Sequence, residues 1–344
     1  MMNLDVKDRK LLYYLNLNAR MSYTQLAKNV GLSKNSIKYR IERLQKEGVI
    51  QYFSSVVNLS SINNTTFTLL LKFNEDIYDQ KEIIGYLKNH PYTIWAATLS
   101  GQWDIFSEIV CVDISHLQEI VHEIIIHFGP LLNTYELYFS NDTLRVEHLI
   151  SHLYHDLQLE PVEIKERTDI IHNPDFIDRK ILHLLGKNSI LSYLDISRKL
   201  GLTLDIVRYR MKNLIKKGVL IKFFAEVNYL KLGYTEYFYK IRLKNVSQEK
   251  MQALRKSIQL NNNISYAFFD INSFNLIFIC VFKNHEEIDH LSRRLRRDYG
   301  EIIENQEYLI LKEHLLFNLF PQGLLENKKG NRGDFQSSAF RTIP

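Results

Sequence analysis

Between Ser33 and Arg43 the chain sets out hydrogen-bonding and cationic side chains in a pattern that suits a polyanion. Ser33, Lys34, Asn35 and Ser36 stand in a row, followed by Lys38, Tyr39, Arg40 and Arg43. Lysine and arginine neutralise phosphates, whereas serine and asparagine hydrogen-bond to phosphates and base edges. Ile37, Ile41 and Leu44 recur in the same stretch at i, i+4 and i+7, which makes one apolar stripe of a helix. The polar residues then share the opposite face, and double-stranded DNA is the ligand that such a face fits.

The elements around this stretch are those needed to present it. Ser33 stands at the N-cap of the helix, where a hydroxyl satisfies an orphan backbone N–H. A shorter amphipathic helix over 23–30 precedes it across the Gly31-Leu32 turn, and another is expected over 5–16. Gly48 ends the basic helix, and the β-branched and aromatic residues of 49–58 predict a strand leaving this head. Two helices across a tight turn, the second basic on its outer face, have the layout of a helix-turn-helix.

The whole segment occurs twice, 170 residues apart. Asp8-Arg9-Lys10 returns as Asp178-Arg179-Lys180, Gly31-Leu32 as Gly201-Leu202, Tyr39-Arg40 as Tyr209-Arg210, and Gly48-Val49 as Gly218-Val219. The second copy keeps Arg208, Arg210 and Lys212 but opens its helix with Thr203, Leu204, Asp205 and Ile206. Asp205 would face phosphate with like charge, and Leu204 and Ile206 cannot hydrogen-bond. The second head is therefore expected to attract DNA while reading different bases, or few.

Charge follows the repeat. Residues 1–60 carry a net +6 and 178–230 a net +7, against −7 for 61–141, −5 for 142–177 and +2 for 231–321. Basic charge on the two helix-turn-helix segments is the footprint expected for phosphate binding. A length of 344 residues with 45% hydrophobic and 24% charged residues predicts two to four globular modules. No apolar run approaches the roughly 18 residues of a membrane span, and the N-terminus lacks a signal-peptide core, so a cytoplasmic protein away from membranes is expected. Cys111 and Cys280 lie far apart in apolar runs, as reduced core thiols do, and no Cys/His cluster has zinc spacing. No metal and no cofactor is expected.

After each head comes a different module. In the first, strands are expected over 65–73, 93–99, 103–112 and 132–139, and helices over 80–89 and 115–128. The order βαββαβ is the signature of a ferredoxin-like α+β sandwich. In the second, strands are expected near 237–243, 264–269, 275–282 and 307–311, with helices near 248–259 and 286–299. The fold class is α+β, two repeats of a winged helix-turn-helix head plus a ferredoxin-like body. The expected domains are 1–60, 61–141, a linker over 142–175, 176–230, 231–321, and a disordered tail over 322–344. Leu149, Ile150, Leu153 and Leu157 suggest a short linker helix. His148, His152 and His155 would share one face of it; a solvated face is favoured over a zinc or haem site.

The chain resembles the leucine-responsive regulator/AsnC (Lrp/AsnC) family of prokaryotic transcription factors. The residues that carry the resemblance are Leu4, Asp5, Asp8, Arg9, Lys10 and Leu12, then Leu26-Ala27 and Gly31-Leu32-Ser33, then Arg40, Leu44 and Gly48-Val49-Ile50, and in the body Gly101 and Asp104. The resemblance spans nearly the whole chain, twice, and implies a DNA-binding regulator rather than an enzyme. It also implies that the bodies pair through their sheets, either as an intramolecular pseudo-dimer or in a homodimer, and that an amino acid or similar effector binds at the body. Ser100, Gly101 and Asp104 are the candidates for that site. Gly101 permits close backbone approach, and Asp104 suits an ammonium group. An ordinary turn is the alternative reading of the same residues. Copy two has Asn272 and Asn275 there, so one effector site per chain is expected. Some haem-precursor decarboxylases share this fold, which leaves an enzyme acting on such a precursor as the rival function. The sequence offers no paired carboxylates or activated nucleophile in support of it.

Overall fold

The two heads are built alike because their local signals are alike. In the computed structural model, which describes residues 3–74, 80–140, 142–160, 170–270 and 275–326, the first head consists of α1 (Val6–Leu17), α2 (Tyr23–Val30) and α3 (Lys34–Lys46). Asp5 and Asp8 cap α1 reciprocally, as Ser22 and Gln25 cap α2. Gly31 ends α2 in the left-handed region at φ +72°, and Ser33 then caps α3 by accepting from the N–H of Ser36. The stripe Ile37, Ile41 and Leu44 is buried, as its spacing predicts.

The strand after this head, β1 (Ile50–Val57), does not pair within its own half. After the first body and linker comes the second head, with α6 (Phe176–Lys187), α7 (Tyr193–Leu200), α8 (Leu204–Lys216) and its strand β7 (Leu220–Val227). β1 and β7 run antiparallel in a two-stranded ribbon, Phe53 opposite Ala225. Each head packs its first helix on the other copy's strand. Asn16 of α1 donates to the carbonyl of Ala225 (3.2 Å) and Ser54 of β1 donates to that of Gly186 (2.9 Å). Ala19 N–H meets the Phe223 carbonyl at 2.9 Å, and Ser189 N–H meets the Phe53 carbonyl at 3.0 Å.

The first body is β2 (Thr65–Phe73), α4 (Gln80–Asn89), β3 (Thr93–Ser100), β4 (Ile105–Cys111), α5 (Ile114–Phe128) and β5 (Leu132–Phe139); β6 (Asp142–Val146) follows it. The second is β8 (Thr235–Leu243), α9 (Gln248–Gln259), β9 (Ile264–Phe269), β10 (Leu276–Phe282), α10 (His285–Tyr299) and β11 (Ile303–Phe317). Each body shows the strand order of a ferredoxin-like sheet. The two join edge to edge through β3 and β11 into nine strands ordered β5-β2-β4-β3-β11-β8-β10-β9-β6. Inside this shared sheet a cluster from both copies is buried, including Trp95, Phe106, Phe238 and Phe268. The bodies thus pair within one chain.

Three expectations are corrected. The linker does not begin with a helix: 142–146 form β6 against β9, and two short 3-10 turns follow at Ser151–Leu153 and His155–Leu157. β11 runs well past the expected 307–311, because it continues along β3 after leaving β8. The first residues of the expected tail are packed. Leu324 is buried, and its carbonyl accepts from Arg179 at 2.9 Å; residues 327–344 lie outside the described residues.

Candidate nucleic-acid interface and a polar cavity

On α3, Ser33, Lys34, Asn35, Lys38 and Tyr39 are exposed, and Ser36 is half-buried beside its cap. Tyr39 has 65% of its surface free. The Ser33 and Ser36 hydroxyls lie 2.9 Å apart, and Lys38 lies 3.8 Å from Glu42. This face is open for a groove.

Arg40 and Arg43 point elsewhere. Asp8, only 1% exposed, takes Arg40 on one oxygen and Arg43 on the other, both at 2.6 Å. Arg40 also donates to Asp5 at 2.7 Å. Burial opposes ionisation of Asp5, yet the Asp8 N–H and the Arg40 guanidinium hold its carboxyl below the usual carboxylate value. These charges clamp α1 to α3. In copy two, Arg210 reaches Asp175 at 2.7 Å and Asp178 at 2.9 Å, and Asn213 stands where Arg43 stands in copy one. The structure therefore gives Arg40, Arg43 and Arg210, read from sequence as DNA contacts, intramolecular carboxylate partners. The signal was present in the sequence: Asp5, Asp8 and Arg40 recur together as Asp175, Asp178 and Arg210. Arg208 and Lys212 remain exposed on α8, with Arg208 at 3.8 Å from Asp205.

The proposed effector turn is internally satisfied. Asp104 accepts from the Phe73 N–H at 2.8 Å and from Lys72 at 3.2 Å. Gly101 sits at φ +127°, where an added Cβ would meet Leu309 at 2.9 Å. Asn275 does for β8 what Asp104 does for β2, accepting from the Leu243 N–H at 3.0 Å. The two copies thus make the same turn-to-strand bond at this position. Asn272 lies outside the described residues. The three histidines share no helix face: His148 is stacked on Phe224 at 3.7 Å, while His152 and His155 lie in the turns.

A feature the sequence reading passed over is a half-open cavity of about 270 Å³ between the β1–β7 ribbon and the near end of the shared sheet. Both copies line it. Its acidic groups are Glu108, Glu147, Glu226 and Glu236. Glu147 pairs with Arg145 at 2.7 Å and Glu236 with His314 at 2.7 Å. The Trp95 indole donates to the other nitrogen of His314 at 3.0 Å. An indole only donates, so this bond favours the neutral imidazole while Glu236 favours the charged one. Burial pushes the Glu108 carboxyl up to about 7 and that of Glu226 up to about 8. Beside the cavity, burial lowers Lys222 to about 7, with its ammonium on Asn16 at 2.8 Å. The signal for this site was a charged residue inside an apolar strand, as Glu108 is in IFSEIVC and Glu226 in LIKFFAEV.

A family description of winged helix-turn-helix DNA-binding segments matches residues 4–51 and 175–221, the two heads. An uncharacterised HTH-type transcriptional regulator of Pyrococcus furiosus is 31% identical over 122 residues, which is 35% of this chain and 81% of that protein. The regulatory protein AsnC of Haemophilus influenzae is 24% identical over 121 residues, 35% of this chain and 81% of that one. Among solved structures, the siroheme decarboxylase NirDL matches 93% of this chain and 96% of its own, with a TM-score of 0.60 at 12% identity; this likeness shows a shared two-copy fold. The fold and heads define a helix-turn-helix transcriptional regulator. The chain belongs to the Lrp/AsnC family, in a tandem form with two head-body units.

Proposed function

We propose that this chain is a sequence-specific, double-stranded-DNA-binding transcriptional regulator that presents two unequal heads on one pseudo-dimeric frame. The observation that carries this reading is the exposed face of α3, where Lys34, Asn35, Lys38 and Tyr39 lie open to solvent while Arg40 and Arg43 pair with Asp8. Lys34 and Lys38 would supply phosphate contacts, and Asn35 with Ser36 would read base edges. The second head, with Arg208 and Lys212 exposed beside Asp205, would bind backbone more than bases. Mobility shift on the chain's own upstream DNA tests this. Asn35→Ala is expected to change the ranking of binding sequences, and a ranking equal to wild type would overturn base reading by α3.

The rival reading, a decarboxylase acting on a haem precursor, is supported by the two-copy likeness to the siroheme decarboxylase. A decarboxylase substrate carries carboxylates, and the groups that line the cavity give it no net positive charge to hold them. A volume of about 270 Å³ also falls below the ~300–1,000 Å³ usual for ligand pockets. We therefore read the chain as a non-enzymatic regulator. Its amino-acid effector site at Ser100, Gly101 and Asp104 has little support, because Asp104 is already bonded to Phe73 N–H and Lys72 of β2.

A further inference from the structure

The cavity under the ribbon is built asymmetrically by the two repeats. Position 226 is Glu where the matching position 56 is Val, and position 108 is Glu where the matching position 279 is Ile; all four residues line the cavity. Each repeat thus contributes one carboxyl group where the other has a branched hydrocarbon. Unlike Glu147 and Glu236, these two carboxyls form no ion pair among the described residues. Glu108 is 9% exposed and takes only a hydrogen bond from the Thr66 side chain. One oxygen of Glu226 is buried with no partner, as are Nε2 of His148 and the Ser140 hydroxyl on the same wall. A buried acceptor left unmade is costly, and native proteins rarely carry several at one place without a ligand or water to meet them. Trp95 of one repeat and Tyr266 of the other, at matching strand positions, add aromatic rings. Among the described residues no three His, Cys, Asp or Glu side chains are grouped to hold a metal ion.

We propose that this cavity is a binding site for a small organic amine, held as its ammonium by Glu226 and flanked by the rings of Trp95 and Tyr266. An ammonium supplies the donor that the unpartnered Glu226 oxygen lacks, and aromatic faces attract a cation. The hydrocarbon part of the ligand meets Val56, Ile279 and Phe317. The roof is the ribbon that leaves both heads, so an occupant touches the joint on which the heads sit. Binding carries a proton signature. Glu226 is faced by His314 of β11, Glu236 of β8, Tyr52 of β1, Tyr229, and Lys222 of its own strand; Glu108 is faced by Thr66 of β2. Both acids are held partly protonated by burial near neutral pH, so an arriving ammonium expels protons.

The test is isothermal titration calorimetry of the full chain, without DNA, using n-butylamine, 1,4-diaminobutane and phenethylamine, with butyrate as the opposite-charge control. Because no DNA is present, the result is independent of what the heads read. At least one amine is expected to bind saturably at pH 8.5 and more than tenfold more weakly at pH 6, with protons released at pH 7 in buffers of differing ionisation heat. Glu226→Gln is expected to weaken that amine at least tenfold, the loss of one charge-assisted hydrogen bond. Silence from all three amines, binding without proton release, or butyrate binding as well as the amines would each overturn the proposal. The proton count comes from the wild type and so decides the matter even if Glu226→Gln fails to fold.

Discussion

Asp8→Ala is the perturbation that most sharply separates the two heads. The Asp8 side chain is 2% exposed and holds Arg40 and Arg43, themselves 19% and 30% exposed, each at 2.6 Å. A hydrogen bond to a charged group contributes about 1.5–3 kcal/mol. The two arginines reach partly into water and can turn toward it, so the low end applies to each, about 3 kcal/mol together. Losing the reciprocal cap with Asp5 adds about 1 kcal/mol. In copy two, Asp178 is 19% exposed and holds only Arg210, at 2.9 Å, which Asp175 also holds. Asp178→Ala should therefore cost about 1–1.5 kcal/mol. A multidomain chain has no single unfolding free energy, so the assay is native-state hydrogen exchange, read separately on the amides of α1 and α6. Protection in α1 should fall by about 4 kcal/mol in Asp8→Ala, and protection in α6 by less than half of that in Asp178→Ala. Equal losses, or a larger loss in copy two, would refute the clamp as drawn.

Three further outcomes follow from the same geometry. Asp104→Asn should leave stability nearly unchanged, because Asn275 already makes the matching bond in copy two, whereas Asp104→Ala should lower it by about 1 kcal/mol; thermal melting of the two variants checks the difference. Glu108 and Glu226 have ordinary values of 4.5 and folded values of about 7 and 8, so the folded chain binds more protons than the unfolded one between these limits. Stability from these groups is complete below pH 4.5 and is lost as pH rises through 7 and 8. Urea midpoints of Glu226→Gln should therefore fall less steeply from pH 5 to 8 than those of wild type. Finally, residues 1–141 and 142–326 produced as separate chains should co-elute as one particle on size exclusion, because the ribbon and the β3–β11 edge both cross between them; elution as two independent species would contradict the pairing.

What the sequence showed depended on how far apart the interacting residues lie. α2, α4, β2, β5, β9 and α9 fall on their expected spans because periodicity and caps are local signals. β1 and β7 were legible as strands, but their pairing across about 170 residues was not, since alternation says nothing about the partner. The same holds for β6, whose polar strand Asp142–Val146 gains its place only from the free edge of β9. The basic face of α3 was legible as a face, yet composition alone could not divide its cations between phosphate and carboxylate. That division is set by Asp8, which comes to lie beneath Arg40 and Arg43 only after α1 packs. The cavity was hidden for the same reason: Glu108 and Glu226 line it from two different repeats.

Contact of DNA with α3 of the first head through Lys34 and Lys38 would show in the salt dependence of DNA binding. Fluorescence anisotropy of a labelled duplex would be measured from 50 to 300 mM salt for the wild type, Lys34→Ala/Lys38→Ala and Arg208→Ala. Each phosphate contact contributes about 0.9 to the slope of log K against log salt. The double variant should therefore bind more weakly, with the slope reduced by about 1.8. Arg208→Ala should reduce the slope by no more than about 0.9. An unchanged affinity and slope in the Lys34→Ala/Lys38→Ala protein would contradict the account.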